Sequence, residues 1–165
     1  MRLVYTGQDI GERSPSDRAI FLAGPNPRAE GVSSWRPQAI ALLESFLFGG
    51  IVIVPEHPVS NPLLKAPEDI YGWEWAMLKM HADVVAFWVP RDMNTLPGLT
   101  TNIEFGMLMD SGRLVFGAPP SACDVSYMRW SCAQRDIPCA KTLEATVHLA
   151  VLKAASEITY SKDGR

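Results

Sequence analysis

The chain lacks the signatures that make many functions readable at sight. Neither G-x-x-x-x-G-K-[ST] nor G-x-G-x-x-G occurs, so nothing supports a Walker-type or dinucleotide-binding loop. No stretch approaches the ~18 unbroken apolar residues of a membrane span. The opening Met1–Thr6 is too short an apolar run for a leader and has no small-residue cleavage site, so none is expected. A formal charge of −3 with no basic stripe argues against nucleic-acid binding. Cys123, Cys132 and Cys139 are odd in number and form no C-x-x-C pair, which predicts reduced thiols in a cytoplasmic protein. His57, His81 and His148 show no metal-ligand spacing, so no metal and no cofactor is expected, and His148 reads as structural. Ser111 and Ser121 have no His/Asp partners for an acyl-transfer triad.

What is present is a regular alternation. At 165 residues the chain suits a single domain over 1–165, and neither a repeat nor a linker divides it. Arg2–Thr6 reads as a short strand. The continuous apolar runs Ala19–Ala23, Ile51–Val54, Val84–Val89 and Leu114–Phe116 read as strands covered on both faces, with a last short strand near Ile137–Ala140. Helices are expected from Ser33-Ser34, as N-cap, to about Phe48, over Asp69–His81, from near Thr101, over Val125–Arg135, and from Thr142 onward with fraying from Tyr160. Glu56–Pro67 reads as a proline-punctuated loop. Strands alternating with helices predict a parallel sheet with helices on both faces, in three layers.

Chemistry is expected to gather around Ala82–Gly106, a buried strand, a loop held by Pro90 and Pro97, and a helix carrying Glu104. In an open α/β sheet ligands sit outside the carboxyl ends of the strands, where loops feed helix N-termini. Two readings of Glu104 stand side by side. Thr101-Asn102-Ile103-Glu104 matches a capping box, in which the glutamate only satisfies backbone donors. A carboxylate ionised by the helix dipole is also the form a nucleophile requires. Gly106 in the helix interior suggests close approach by a backbone or ligand. Glu74 lies between Trp73 and Trp75, and helical spacing puts Tyr71, Glu74 and Trp75 near one face, so acid and rings either line a pocket or form a surface acid beside core tryptophans. Asp83 reads as a cap for the following strand, and Asp92 as a loop acid of open direction. Gly24 is expected to let the backbone approach a ligand closely, next to Pro25, Asn26 and Pro27. Arg28, Ser33, Ser34 and Arg36 cluster where a helix N-terminus favours a phosphate.

Taken in order, I-F-L-A-G-P (Ile20–Pro25), S-W-R-P (Ser34–Pro37), V-P-E (Val54–Glu56), W-E-W (Trp73–Trp75), A-D-V-V-A-F-W-V-P-R-D (Ala82–Asp92), L-T-T-N-I-E-F-G (Leu99–Gly106) and G-A-P-P (Gly117–Pro120) resemble the nucleoside 2-deoxyribosyltransferase-like family, over roughly Arg2–Leu152. The resemblance implies a flavodoxin-like (Rossmann-like) three-layer sandwich with a central, mostly parallel five-stranded sheet. It implies cleavage of an N-glycosidic bond of a nucleoside or nucleotide, with Glu104 attacking C1′ and Glu74 or Asp92 handling the proton of the base. By the same resemblance Gly24, Pro25, Asn26, Trp73, Asn102 and Arg36 would border the substrate, and the protein would be a homo-oligomer. One departure is plain. Family transferases carry an aspartate a few residues before the catalytic glutamate, where this chain has Pro97, Gly98, Leu99 and Thr100. Transfer to a second base, hydrolysis of a nucleoside 5′-monophosphate, and nucleotide binding without turnover all stay open on these residues.

Overall fold

The computed structural model describes residues 1–56 and 66–163, with side chains to residue 156. Six strands form the sheet: β1 (Arg2–Tyr5), β2 (Ala19–Ala23), β3 (Ile51–Val54), β4 (Val84–Trp88), β5 (Leu114–Gly117) and β6 (Cys139–Ala140). Every residue of β2 to β5 is buried, because helices cover both sheet faces and no strand side is left for water. The strands lie in the order β1-β3-β2-β4-β5-β6 and all pairings are parallel. This is a flavodoxin-like α/β fold. The expected parallel sheet is borne out, and only the count of five strands is corrected, to six. Arg2–Tyr5 pairs in register with Ile51–Val54 at one edge, seated by the Arg2 N–H donating to the Gly50 carbonyl (2.9 Å), and adds a sixth parallel strand.

The sheet separates two apolar clusters. On one face Phe21, Phe87 and Phe116 meet Met77, Leu78, Phe105, Leu108 and Met128, from α2 (Pro67–Ala76) with the π-helical turn Met77–His81 that continues it, α3 (Leu99–Leu108) and α4 (Ser126–Gln134). On the other, Ile20, Leu22, Val52, Ala86 and Val115 meet Ala39 and Leu43 of α1 (Arg36–Ser45) and Leu143, Val147, Ala150 and Ala154 of α5 (Leu143–Asp163). Three layers result.

Several helix ends differ from expectation. α1 starts at Arg36, after a Trp35 N-cap with no side-chain cap, and ends at Ser45. Ser34 stands one residue before the N-cap, where its Oγ still accepts from the Arg36 N–H (3.1 Å) while its hydroxyl donates to Glu56. α5 stays helical to Asp163. His57 and most of the Glu56–Pro67 loop lie outside the described residues. No helix among the described residues is long and apolar enough to cross a membrane.

Candidate active site

With β2 central, the chain runs to one side through β3 and to the other through β4, so the sheet's switch point lies between β2 and β4. Loops leaving the two strands there diverge and open a crevice at the carboxyl ends. A cavity of about 760 Å³ fills that crevice, lined by the loops after β2, β3 and β4 and by residues of α2 and α3.

The β2 side is built on a glycine that no other residue replaces. Gly24 has φ +148°, and a Cβ added there would lie 2.1 Å from the Trp88 carbonyl oxygen and 2.9 Å from the Trp35 ring. Its backbone is pressed against the neighbouring strand β4, and Gly24 also lines the cavity. Pro25 and Asn26 follow it into the cavity wall. Opposite, Gly98 takes a left-handed φ of +57° as N-cap of α3, with Pro25 so near that a Cβ would sit 2.9 Å from it. The two lips touch.

That N-cap decides what Glu104 is. α3 opens at Leu99, two residues before the expected start, so Glu104 sits in its second turn and no side chain caps the helix. The capping-box reading is overturned: Glu104 is not spent on backbone donors. Thr101, Phe105 and Leu108 face inward. Phe105 is held edge-on between Phe87 (5.5 Å) and Phe116 (5.7 Å), which locks the rotation of α3 and turns Thr101 and Glu104, one helical turn apart, toward the cavity. Gly106 is exposed and has nothing within 4 Å of its would-be Cβ, so the close approach expected there is absent among the described residues.

Across the cavity stands Glu74 of α2, on the same wall as Ile70 and Tyr71. Burial, and then the Glu74 carboxylate, push the Glu104 carboxyl up to about 8, with Arg36 pulling the other way. Glu74 is also raised, by burial, against the same opposing pull. A carboxyl raised by burial and by a neighbouring acid keeps its proton into the neutral range, and two raised carboxyls in one cavity can present an acid and a base together.

Arg36 joins the walls from beneath. Its side chain is 1% exposed. It donates from Nε to the Leu22 carbonyl (3.0 Å), from Nη2 to the Gly24 carbonyl (2.8 Å), and from Nη1 to Asn26 Oδ1 (2.6 Å) and Glu56 Oε1 (2.7 Å). Glu56, one residue beyond the Pro55 that closes β3, also accepts from the Ser34 hydroxyl (2.5 Å). Sequence reasoning gave Glu56 and Thr101 no role at the site. The signal for Glu56 was an acid just past the carboxyl end of a buried strand. Ser34 and Arg36 are thus held by protein groups, Ser33 does not line the cavity, and Arg28 of the expected anion cluster faces it with no side-chain hydrogen bond or ion pair among the described residues.

Three residues expected at the site lie outside the cavity. Asp92 is exposed, and its Oδ1 accepts from the Asn94 and Thr95 N–H groups (2.9 Å each) and the Thr95 hydroxyl (3.0 Å). Those bonds, Thr95's first, hold its carboxyl below the usual range. Asn102 turns to the outside of α3, where its Oδ1 accepts from Arg91 Nη2 (2.6 Å). Trp73 packs on the core and donates from Nε1 to the Gln8 carbonyl (2.8 Å), while exposed Trp75 stacks under Lys79. Asp83 accepts from the Ala19 N–H (2.7 Å) and from Arg13, tying β2 to the start of β4. No group of three His, Cys, Asp or Glu side chains among the described residues could hold a metal ion.

No curated protein matches the chain. A family profile described as "nucleoside 2-deoxyribosyltransferase like" matches residues 17–122, a stretch that runs from the approach to β2 through α3 to the loop after β5 and so holds most of the cavity. The chain belongs to the nucleoside 2-deoxyribosyltransferase-like family.

Proposed function

We propose that the cavity cleaves the N-glycosidic bond of a (deoxy)nucleoside or nucleotide through a glycosyl ester on Glu104 and passes the sugar to a second base. The observation that carries this reading is the pairing of Glu104 with Glu74 in one largely buried cavity at the switch point. The Glu104 carboxylate attacks C1′ as the C1′–N bond breaks, and the bond's electron pair leaves with the base. Glu74 supplies the proton that neutralises it. In the second half, a nitrogen of the incoming base attacks C1′, its proton passes to Glu74, and the ester bond to Glu104 breaks. Asp92, bound into its own turn, has no part in these steps.

The proton retained on Glu104 has a consequence for pH dependence. Because Glu104 holds its proton up to about 8, the productive form (Glu104 ionised, Glu74 protonated) is a minor arrangement of the singly protonated pair. The profile of kcat/KM is therefore expected to be a bell whose alkaline limb falls near pH 8. A nucleoside whose leaving base needs no proton is expected instead to react faster with rising pH through that limb. Incubation with a nucleoside panel, with and without a second base, tests the reading. Base release with a glycosyl adduct on Glu104 by mass spectrometry is the expected result, and an adduct on another residue overturns the assignment.

Hydrolysis is the second reading, favoured by the cavity's mouth, where Tyr71 and Leu99 are 62% and 65% exposed and water has access. Arg28, a lining cation with no side-chain partner among the described residues, favours a nucleoside 5′-monophosphate as its substrate. If the 5′-phosphate brings no gain in kcat/KM over the nucleoside, this reading is dropped. The same mouth supports the homo-oligomer. Tyr71, Trp75, Met80, Leu99, Ile103 and Met107 are exposed apolar side chains of the adjoining α2 and α3 segments, more than a monomer needs to leave bare. A sedimentation experiment is expected to give an oligomer that Ile103→Glu dissociates; a monomeric wild type refutes this. The three free thiols suit a reducing compartment, the cytoplasm.

A further inference from the structure

Arg36 sits at the centre of the site, yet its position does not suit contact with substrate. It is buried, and four N–H donors are already committed to Leu22, Gly24, Asn26 and Glu56. A guanidinium bound this way holds protein, not ligand. It ties the end of β2 and the loop after it to the residue that follows β3, and its plane lies beside the Trp35 ring, 4.7 Å from the ring centroid. Trp35 in turn donates from Nε1 to the Pro25 carbonyl (3.2 Å), so the β2 lip is bound twice from below.

The charges of the cavity make the second half of the argument. The titratable and charged groups that line it are Arg28 and Arg36 from the β2 side, Glu56 after β3, Tyr71 and Glu74 from α2, and Glu104 from α3. Arg28 is exposed at the rim and screened by water. Three carboxyl groups therefore face one buried cation. Glu56, in direct contact, neutralises it first, and Ser34 adds a further bond to that carboxylate. What is left of the Arg36 field is too little to ionise both remaining acids, so one proton stays with them.

We propose that Arg36 is a positioning residue and not a substrate ligand: paired with Glu56, it fixes the β2 lip and sets how many protons the cavity carboxyls hold. This rests on the N-glycosidic reading for its use, because a reaction that needs one carboxylate and one carboxylic acid needs that proton retained. Two cations here would strip it; none would leave both acids neutral.

The charge arrangement is testable without substrate. In protein carrying ¹³C-carboxyl glutamate, with Glu104 assigned from the missing resonance of Glu104→Gln, the Glu104 titration midpoint is expected to fall by about one pH unit in Glu56→Gln. Losing the Glu56 charge leaves Arg36 with no closer anion, so more of its field acts on Glu104. In Arg36→Gln the midpoint is expected to rise. Should that variant fail to fold, Glu56→Gln, which keeps the guanidinium and its carbonyl bonds, decides alone. A Glu104 midpoint in Glu56→Gln within about 0.3 unit of the wild type, or above it, overturns the proposal. Kinetics supply the second arm. Arg36→Lys keeps the charge and loses the fork, and is expected to lower kcat and move its pH profile with KM nearly unchanged; a rise in KM alone makes Arg36 a substrate ligand. Absence of base release by the wild type across the panel refutes the N-glycosidic reading, whereas the titration result stands on its own.

Discussion

Glu104→Gln is expected to lower base release on the order of 10⁴-fold or more, the scale of removing a central member of a catalytic group, while the far-UV spectrum stays that of the wild type. Glutamine keeps the shape and polarity of the side chain and cannot form the glycosyl ester. The accompanying stability change has a definite sign. The folded Glu104 carboxyl is raised to about 8, well above its ordinary value of 4.5. Between those limits the folded chain keeps a proton that the unfolded chain gives up, so stability is full below the lower value and declines as pH rises to the upper one. Glu104→Gln removes that decline. At pH 8.5 its melting temperature is therefore expected to exceed the wild type's, and at pH 4 the two should agree closely. A variant that is inactive and also less stable at pH 8.5 would mean that Glu104 supports the fold and does not strain it.

The second large effect belongs to Gly24. In Gly24→Ala the new methyl group would collide with the Trp88 carbonyl at 2.1 Å, and the backbone would have to hold φ +148° with a side chain present. Neither neighbour yields cheaply, because Trp88 ends a strand paired on both sides. A loss of more than about 4 kcal/mol is expected, in the range reserved for core disruption and backbone conflict. At this chain length that lowers the melting temperature by about 10 °C or more. Calorimetry reads it directly, and a shift under 3 °C would mean that β2 and β4 separate freely at their carboxyl ends, against the packing described. Because the same glycine carbonyl accepts from Arg36, any folded fraction is also expected to lose activity.

The strands were legible because parallel strands covered on both faces must be apolar throughout. Ala19–Ala23 and Ile51–Val54 can hardly be read otherwise. Glu104 was legible by position, as the acid on the helix fed by a central strand. Its environment was not. Thr101 and Glu104 have the spacing of a capping box, and only the left-handed Gly98, which starts the helix early, removes that role. Local spacing tells which residues share a helix face, as with Tyr71 and Glu74, but not which face meets the cavity, and Trp73 and Asn102, placed at the substrate by the resemblance, are bound outside it. Asp92 followed turn chemistry instead, since an aspartate two and three residues before free N–H groups is readily captured by them. Glu56 and the burial of Arg36 depend on contacts between β2, α1 and β3, far apart along the chain, which no periodicity encodes.

The contact between Pro25 and Gly98 bears on how the molecule comes to be made. The two lips belong to opposite ends of the segment 24–98, and β4 must settle beside β2 before they can meet. During synthesis the N-terminal β1, β2, α1 and β3 emerge first, with an unpaired β2 edge and a buried arginine that still lacks part of its surroundings. Non-local parallel pairing of this kind is slow to form. The interval before β4 arrives is thus when the chain is most exposed to edge-to-edge association. Closure of the cavity's lips and protection from aggregation are acquired in the same docking event.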